Sequence, residues 1–281
     1  MLQSSVALFL NINFVLMKTA AVFLIALCWC SNILAQTGVS VSPPRLYFES
    51  DAGKSSRQKV TVTNVSATHV MSLAVSTGDW QYNEMGENLM YPADSLATSC
   101  AGWVSISKAD SYFSLKPGEN KEVEVNITVP NTFKGDIAAH TAMLYVTQMN
   151  PVDDVDNKGA NIKVSVRSGI KLFHRTNEIK NRKLEIENIL FDKKSNHVAL
   201  YFSNNGNIWA DGIVYPELLN TATGKRMVLD HIVFYTMPTD KRKMLISLPE
   251  NLEKGKYTAN ILIDYGDDNT IEMGELSFTN E

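Results

Sequence analysis

The chain has 281 residues, 44% of them apolar and 20% charged, with a formal net charge of −4. That length suits two domains of ordinary size, each able to bury its own core, and the composition excludes disorder, collagen and coiled coil. The mild acidity lacks the footprint of a nucleic-acid binder, and no block of basic residues marks a membrane surface.

The N-terminus reads as an export signal. Met17-Lys18 opens it, Ala20 to Cys30 form an apolar run, and Ser31-Asn32-Ile33-Leu34-Ala35 closes on a small residue. A charged start, a short apolar core and a small-residue cut site make a secretory signal peptide. The predicted cut follows Ala35, so 1–35 is the signal and Gln36 the first mature residue. Residues 1–16 precede a second Met followed by Lys, either a start site assigned too early or a long leader. Large Leu27 and Trp29 before Cys28 and Cys30 argue against a lipid-anchor cysteine. No later stretch approaches the ~18–20 apolar residues of a membrane-spanning helix. The expected location is the periplasm, with the cell surface or the medium as the alternative. Only Cys100 remains after cleavage, so the mature monomer has no internal disulfide and its cores must stabilise it unaided. With no His near it in sequence, Cys100 reads as a packing or surface cysteine.

From Val39 the chain reads as strands. Val60-Thr61-Val62-Thr63 alternates and Asn64 breaks it; Val70–Ser76 alternates less strictly. Lys121–Val129 places Val123, Val125, Ile127 and Val129 on one face and charges on the other, the period of a half-buried strand. Ala142–Val146 is nearly continuously apolar and suits a central strand, and Ile162–Arg167 alternates again. Lys116-Pro117-Gly118-Glu119 is a strong turn, because Pro presets one dihedral and Gly accepts positive φ. No amphipathic helix of ordinary length is evident. After the polar stretch Thr176–Asn181 a second set follows: Leu184–Phe191, His197–Ser203, Gly212–Leu219, Met227–Tyr235, Lys243–Leu248, Tyr257–Tyr265 and Ile271–Phe278. Seven strands in about a hundred residues match an immunoglobulin-sized sandwich. The predicted fold is all-β, two immunoglobulin-like β-sandwich domains in tandem, over 36–176 and 177–281. The halves carry no obvious repeated motif.

Catalytic patterns are missing. The sequence has no nucleophile elbow and no phosphate-cradling glycine loop. His69, His140, His174, His197 and His231 are scattered without metal-ligand spacing. Asp154–Gly159 resembles a calcium loop but has Lys158 where an oxygen ligand belongs and Ser165 where a Glu belongs, and reads as a solvated acidic loop. Asp264, Asp267 and Asp268 surround an ordinary turn. The reading is a protein that is not an enzyme and needs no cofactor or metal.

Three segments together resemble the periplasmic PapD-like chaperones of the chaperone–usher pilus pathway. They are Val39–Phe48 as the opening strand, Ile162–Arg175 as the last strand of the first domain, with Ile170-Lys171-Leu172-Phe173-His174-Arg175 its most specific piece, and Ile263-Asp264-Tyr265-Gly266 in the second. Leu115-Lys116-Pro117-Gly118 resembles that family's turn before a strand. The likeness spans nearly all the mature chain, thinly between motifs.

The resemblance implies a mechanism. The chaperone lends an edge strand to a pilus subunit that lacks its own last strand, with backbone hydrogen bonds giving affinity. The matching apolar positions are Ile162, Val164 and Val166, which period two sends to one side, toward a subunit or toward this domain's own core. Arg45 and Lys171 are implied to line the cleft between domains and hold the subunit's C-terminal carboxylate, where charge-assisted hydrogen bonds would fix register. Arg175 and Asp264 match two partners of an interdomain salt bridge. The carboxylate expected before the apolar strand is replaced by His140, and Thr176 stands where Pro is frequent. The segment from Trp80 to Trp103 is long and irregular, either a private binding loop or an insertion. Asn150–Ala160 lacks a long apolar arm, as in the shorter-loop chaperones. The implied partners are pilus or surface-protein subunits and an outer-membrane usher, with self-association of the free edge open. The alternative function is an exported immunoglobulin-like scaffold or binding module of a cell-surface complex.

Overall fold

The computed structural model describes residues 38–132, 138–155, 159–176, 180–266 and 271–281, with the backbone alone at 154 and 155. The export signal, Cys28, Cys30, Asp267 and Asp268 lie outside the described residues, as does part of the calcium-like stretch.

The first half contains β1 (Val39–Ser42), β2 (Arg45–Glu49), β3 (Ser55–Asn64), β4 (Met71–Tyr82), β5 (Asn88–Tyr91), β6 (Val104–Ile106), β7 (Tyr112–Leu115), β8 (Asn120–Thr128), β9 (Ala139–Gln148), β10 (Val152–Val155), β11 (Asn161–Val164) and β12 (Arg167–Arg175). The second contains β13 (Leu184–Asp192), β14 (His197–Asn204), β15 (Ala210–Asn220), β16 (Arg226–Val228), β17 (Ile232–Thr236), β18 (Lys241–Ser247), β19 (Gly255–Asp264) and β20 (Ile271–Asn280). Among the described residues helix is confined to α1 (Lys108–Ser111), capped by the Ser107 side chain, and a 3₁₀ turn at Ala101–Trp103. No helix among the described residues is long and apolar enough to cross a membrane.

In the first half the sheet β1-β3-β8-β6 faces the sheet β2-β12-β9-β4-β5, with β7 beside β4 and β10–β11 as a separate hairpin. In the second half β13-β14-β18 faces β16-β15-β19-β20, with β17 beside β15. Among the described residues no sheet draws strands from both halves, and each half has its own core. The all-β, two-sandwich expectation therefore holds.

The alternation read in β8 is the reason for its place. Val123, Val125 and Ile127 are fully buried, each contributing roughly 1.5–3 kcal/mol of apolar burial. The intervening Glu122 pairs with Lys59 across the strand at 2.7 Å. Continuously apolar β9 is buried almost throughout. Gly118 supplies the predicted positive φ, +72°.

A buried asparagine closes a strand end in each half. Asn64 Nδ2 donates to the carbonyls of His69 (2.8 Å) and Leu115 (3.0 Å), and its Oδ1 accepts from Ser66 N (2.9 Å). Asn204 Nδ2 donates to Ile208 O and Thr236 Oγ1, both at 3.1 Å, and its Oδ1 accepts from Gly206 N (2.9 Å). This is a common device that the sequence pattern did not disclose.

Three expected strands are divided. Val39–Phe48 is two strands in different sheets, because Pro43 and Pro44 have no N–H to donate and the chain crosses from β3 to β12 there. Ile162–Arg175 is interrupted at Ser165 and Val166, which bond to Gln148 instead of continuing the ladder. Met227–Tyr235 is β16 and β17, parted by Leu229, Asp230 and His231. Cys100 is wholly buried in the first core, where burial pushes its thiol pKa up.

Candidate binding cleft and strand edge

The parallel pairing of β2 with β12 sets Arg45 directly opposite Lys171. Both stand where the halves meet. The Arg45 guanidinium lies 4.4 Å from the ring centre of Tyr235, which belongs to the second half. Lys171 Nζ sits 4.0 Å from the Trp80 ring centre and 4.3 Å from that of Tyr82. It donates to Tyr82 Oη at 3.0 Å and to Asn88 Oδ1 at 2.7 Å. Burial, then the neighbouring Arg45 charge, push its pKa down to about 8, with Asp211 opposing. Burial raises the pKa of the Asp211 carboxyl, against the pull of Arg45, Arg182 and Lys171. The cleft therefore holds two adjacent cations in poorly solvated surroundings, an arrangement that favours an anionic ligand able to restore Lys171's charge.

Aromatic rings pack around these cations. Phe173 stacks on Tyr47 at 5.0 Å and meets Trp80 (5.4 Å) and Trp209 (5.5 Å) edge-on. Trp209 comes from the second half, so this cluster, with Met237, joins the halves.

Arg175 does not pair with Asp264. Its Nε and Nη2 both reach Glu49 Oε2, at 2.9 and 2.5 Å, and its guanidinium lies 5.6 Å from the Trp209 ring centre. The parallel register places Glu49 opposite Arg175. Asp264 instead lines a pocket of about 330 Å³ with Arg182, Trp209, Asp211 and Tyr265. His140, standing where a carboxylate was expected, is 2% exposed and lies opposite His174 in the β9–β12 ladder. Burial, then the charge of His174, lower its pKa to about 4, and burial also lowers that of His174.

Ile162 lies in β11, 39% exposed; Val164 is half-buried there, and Val166 is half-buried outside any strand. Further along the same strand direction, Ile170 and Leu172 enter the core. Inward-facing residues thus give way to partly solvated ones as the chain leaves the sandwich. Among the described residues β11 pairs only with β10, and β12 meets β2 only from Lys171 onward. The outer edge of this segment is open before that point, apart from Ser168 Oγ donating to Val39 O.

Sequence reasoning missed Tyr82, Asn88, Trp209, Asp211, Tyr235 and Arg242, which reach the cleft from five other strands and the turn before β15. A signal was present for one pair: Trp80 and Tyr82 are two residues apart, which sends both rings to one face. Among the described residues no group of three or more His, Cys, Asp or Glu is placed to hold a metal ion.

No protein-family model matches the chain, and no curated protein matches it. Solved structures do. The YadV chaperone has TM-score 0.46 and 14% identity over 85% of this chain and 99% of its own. The E. coli chaperone DraB has TM-score 0.45 and 18% identity over 87% and 96%. The CsuC–CsuE chaperone–tip adhesion subunit pre-assembly complex from archaic chaperone-usher Csu pili of Acinetobacter baumannii has TM-score 0.45 and 13% identity over 85% and 97%. Each of these three solved structures contains a chaperone, and in the third the chaperone is bound to a tip adhesion subunit.

Proposed function

We propose that this protein is a periplasmic chaperone for fimbrial or related surface subunits, with 36–176 as the domain that receives the subunit and 177–281 as the domain that completes the cleft. The subunit would add to the open edge of β11 and β12. Ile162, Val164 and Val166 would fill its incomplete core, and Arg45 and Lys171 would hold its C-terminal carboxylate. The observation that carries this reading is the register of β2 against β12. It sets two cations side by side at the inner end of an unpaired strand edge, the arrangement needed to fix both the end and the register of an added strand. An unused edge of this kind invites pairing, so the free protein would also self-associate through it until a subunit, and then an outer-membrane usher, takes over.

The test is co-purification from the periplasm, with partners identified by mass spectrometry, of wild type and of Arg45→Ala/Lys171→Ala. Wild type should carry a β-rich subunit that the folded double variant loses. If both bring down the same partner, or neither brings down any, the protein is better read as an exported scaffold.

A further inference from the structure

The turn between β4 and β5 is stiff. Asn83 N donates to Glu87 O (3.0 Å) and Gly86 N to Asn83 O (2.9 Å), while the Asn83 side chain bonds both Glu87 N (2.9 Å) and Glu87 Oε2 (2.7 Å). This rigid tip belongs to the first half but rests on the second. Lys243 N, on β18, donates to Glu84 O at 2.7 Å. β18 ends its sheet, so the tip occupies part of an otherwise unpaired edge. Gly86 has φ +83° and lies so close to the Arg242 guanidinium that a Cβ there would overlap it. Arg242 is 6% exposed, donates to Tyr235 O at 2.6 Å, and has a buried Nε with no hydrogen-bond partner. At its base the same hairpin supplies Asn88, whose Oδ1 accepts from Lys171 Nζ.

We infer that the β4–β5 hairpin is a latch, which in the free protein closes over Lys171 and Arg242 and must yield at Asn88 before a carboxylate can bind Lys171. The inference rests on the reading of Arg45 and Lys171 as a carboxylate anchor. Its parts fit a reversible device. Beyond Tyr82, whose hydroxyl also accepts from Lys171, the contacts holding it are one backbone bond, one side-chain bond and one glycine packed on a guanidinium, while Met85, Leu89 and Met90 on the hairpin stay exposed and add little burial. A segment with few buried apolar contacts opens more readily than the sandwich that carries it. A carboxylate would replace the neutral Asn88 oxygen with a charged acceptor, the stronger partner for an ammonium.

The latch is tested without any subunit, by the rate at which an N-hydroxysuccinimide acetate reagent acylates Lys171 in the intact protein. Lys163, with a side chain 72% exposed, is the internal reference. A lysine with its pKa near 8 would react faster than an ordinary one if uncovered, so slow labelling reports coverage. Wild-type Lys171 should react about tenfold more slowly than Lys163, the mark of a segment closed most of the time. Asn88→Ala and Gly86→Ala should each speed it severalfold. Asn88→Asp, which gives the latch a charged acceptor, should slow it. Equal rates at Lys171 and Lys163 in wild type, or a Lys171 rate the same in all four proteins, would overturn the latch. A latch that behaves as expected in a protein that carries no subunit from the periplasm would leave the device standing and remove the chaperone reading.

Discussion

Acid should destabilise the first sandwich through His140, by an amount that follows from its surroundings. The ring is 2% exposed, 4.5 Å from the Trp103 ring and 6.0 Å from that of His174, which itself bonds Ser50 O at 2.9 Å. The charged groups bearing on this pair are His174 on His140, and Asp51 on His174. Burial holds the folded pKa near 4, against an ordinary 6.5. The shift is downward for a base, so folding favours the neutral ring. Above 6.5 neither state binds the proton and the contribution is complete. As pH falls toward 4 the unfolded chain protonates first and stability is lost. Linkage over that interval gives a loss of about 2.5 kcal/mol by about pH 4.5. The assay is urea unfolding at neutral pH and at the lower value, for wild type and for His140→Phe, which keeps a ring but cannot titrate. The variant should lose about 2.5 kcal/mol less than wild type on acidification, keeping the smaller acid response of His174 and the carboxylates. An acid loss equal in the two proteins would refute the assignment.

Trp209→Ala should cost about 3–5 kcal/mol, the usual penalty for emptying a buried indole site, and should split thermal unfolding into two calorimetric transitions; a single unshifted transition would contradict the view that this ring joins the halves. Asn64→Ala and Asn204→Ala should each cost about 2–3 kcal/mol in denaturant unfolding, since each strands buried carbonyl and amide groups. Equal losses would support their equivalence, and a loss near zero at either would dismiss it. Cys100 should resist iodoacetamide in the native protein and react only on unfolding, because it is fully buried with its pKa raised; native labelling at the rate of a free thiol would place it elsewhere.

The strands were legible wherever one face is wet. β8 alternates because Val123, Val125 and Ile127 meet the core while their neighbours meet solvent, and β9 is continuous because both its faces are covered. What alternation cannot report is which sheet a strand joins. The crossing at Pro43 and Pro44 therefore appeared as one strand, although two prolines in a row were available as the warning. The cations Arg45 and Lys171 follow from a family likeness, but the bonds of Lys171 to Tyr82 and Asn88 do not, since they depend on where a hairpin folds, which residues 83–88 do not encode alone. The pairing of Arg175 with Glu49 is hidden for a related reason. The parallel register with β2 sets Glu49 beside it, and no local pattern reveals parallel partners so distant in sequence. The first part of the irregular Trp80–Trp103 segment is an orderly hairpin whose tip rests on the other half, a contact that local pattern does not report.

The pairing of β2 with β12 also sets the order in which the molecule can become competent. Ser50 and His174, bonded to each other beside that pairing, are 124 positions apart. Such distant closures are made late, because the chain entropy of a long loop must be lost before any contact rewards it. As the chain is made from its N-terminus, β2 has no partner strand in its sheet until residues 171–175 arrive. Arg45 and Lys171 come together only at that moment, so under the proposed chaperone role an unfinished chain would have no anchor to offer a subunit.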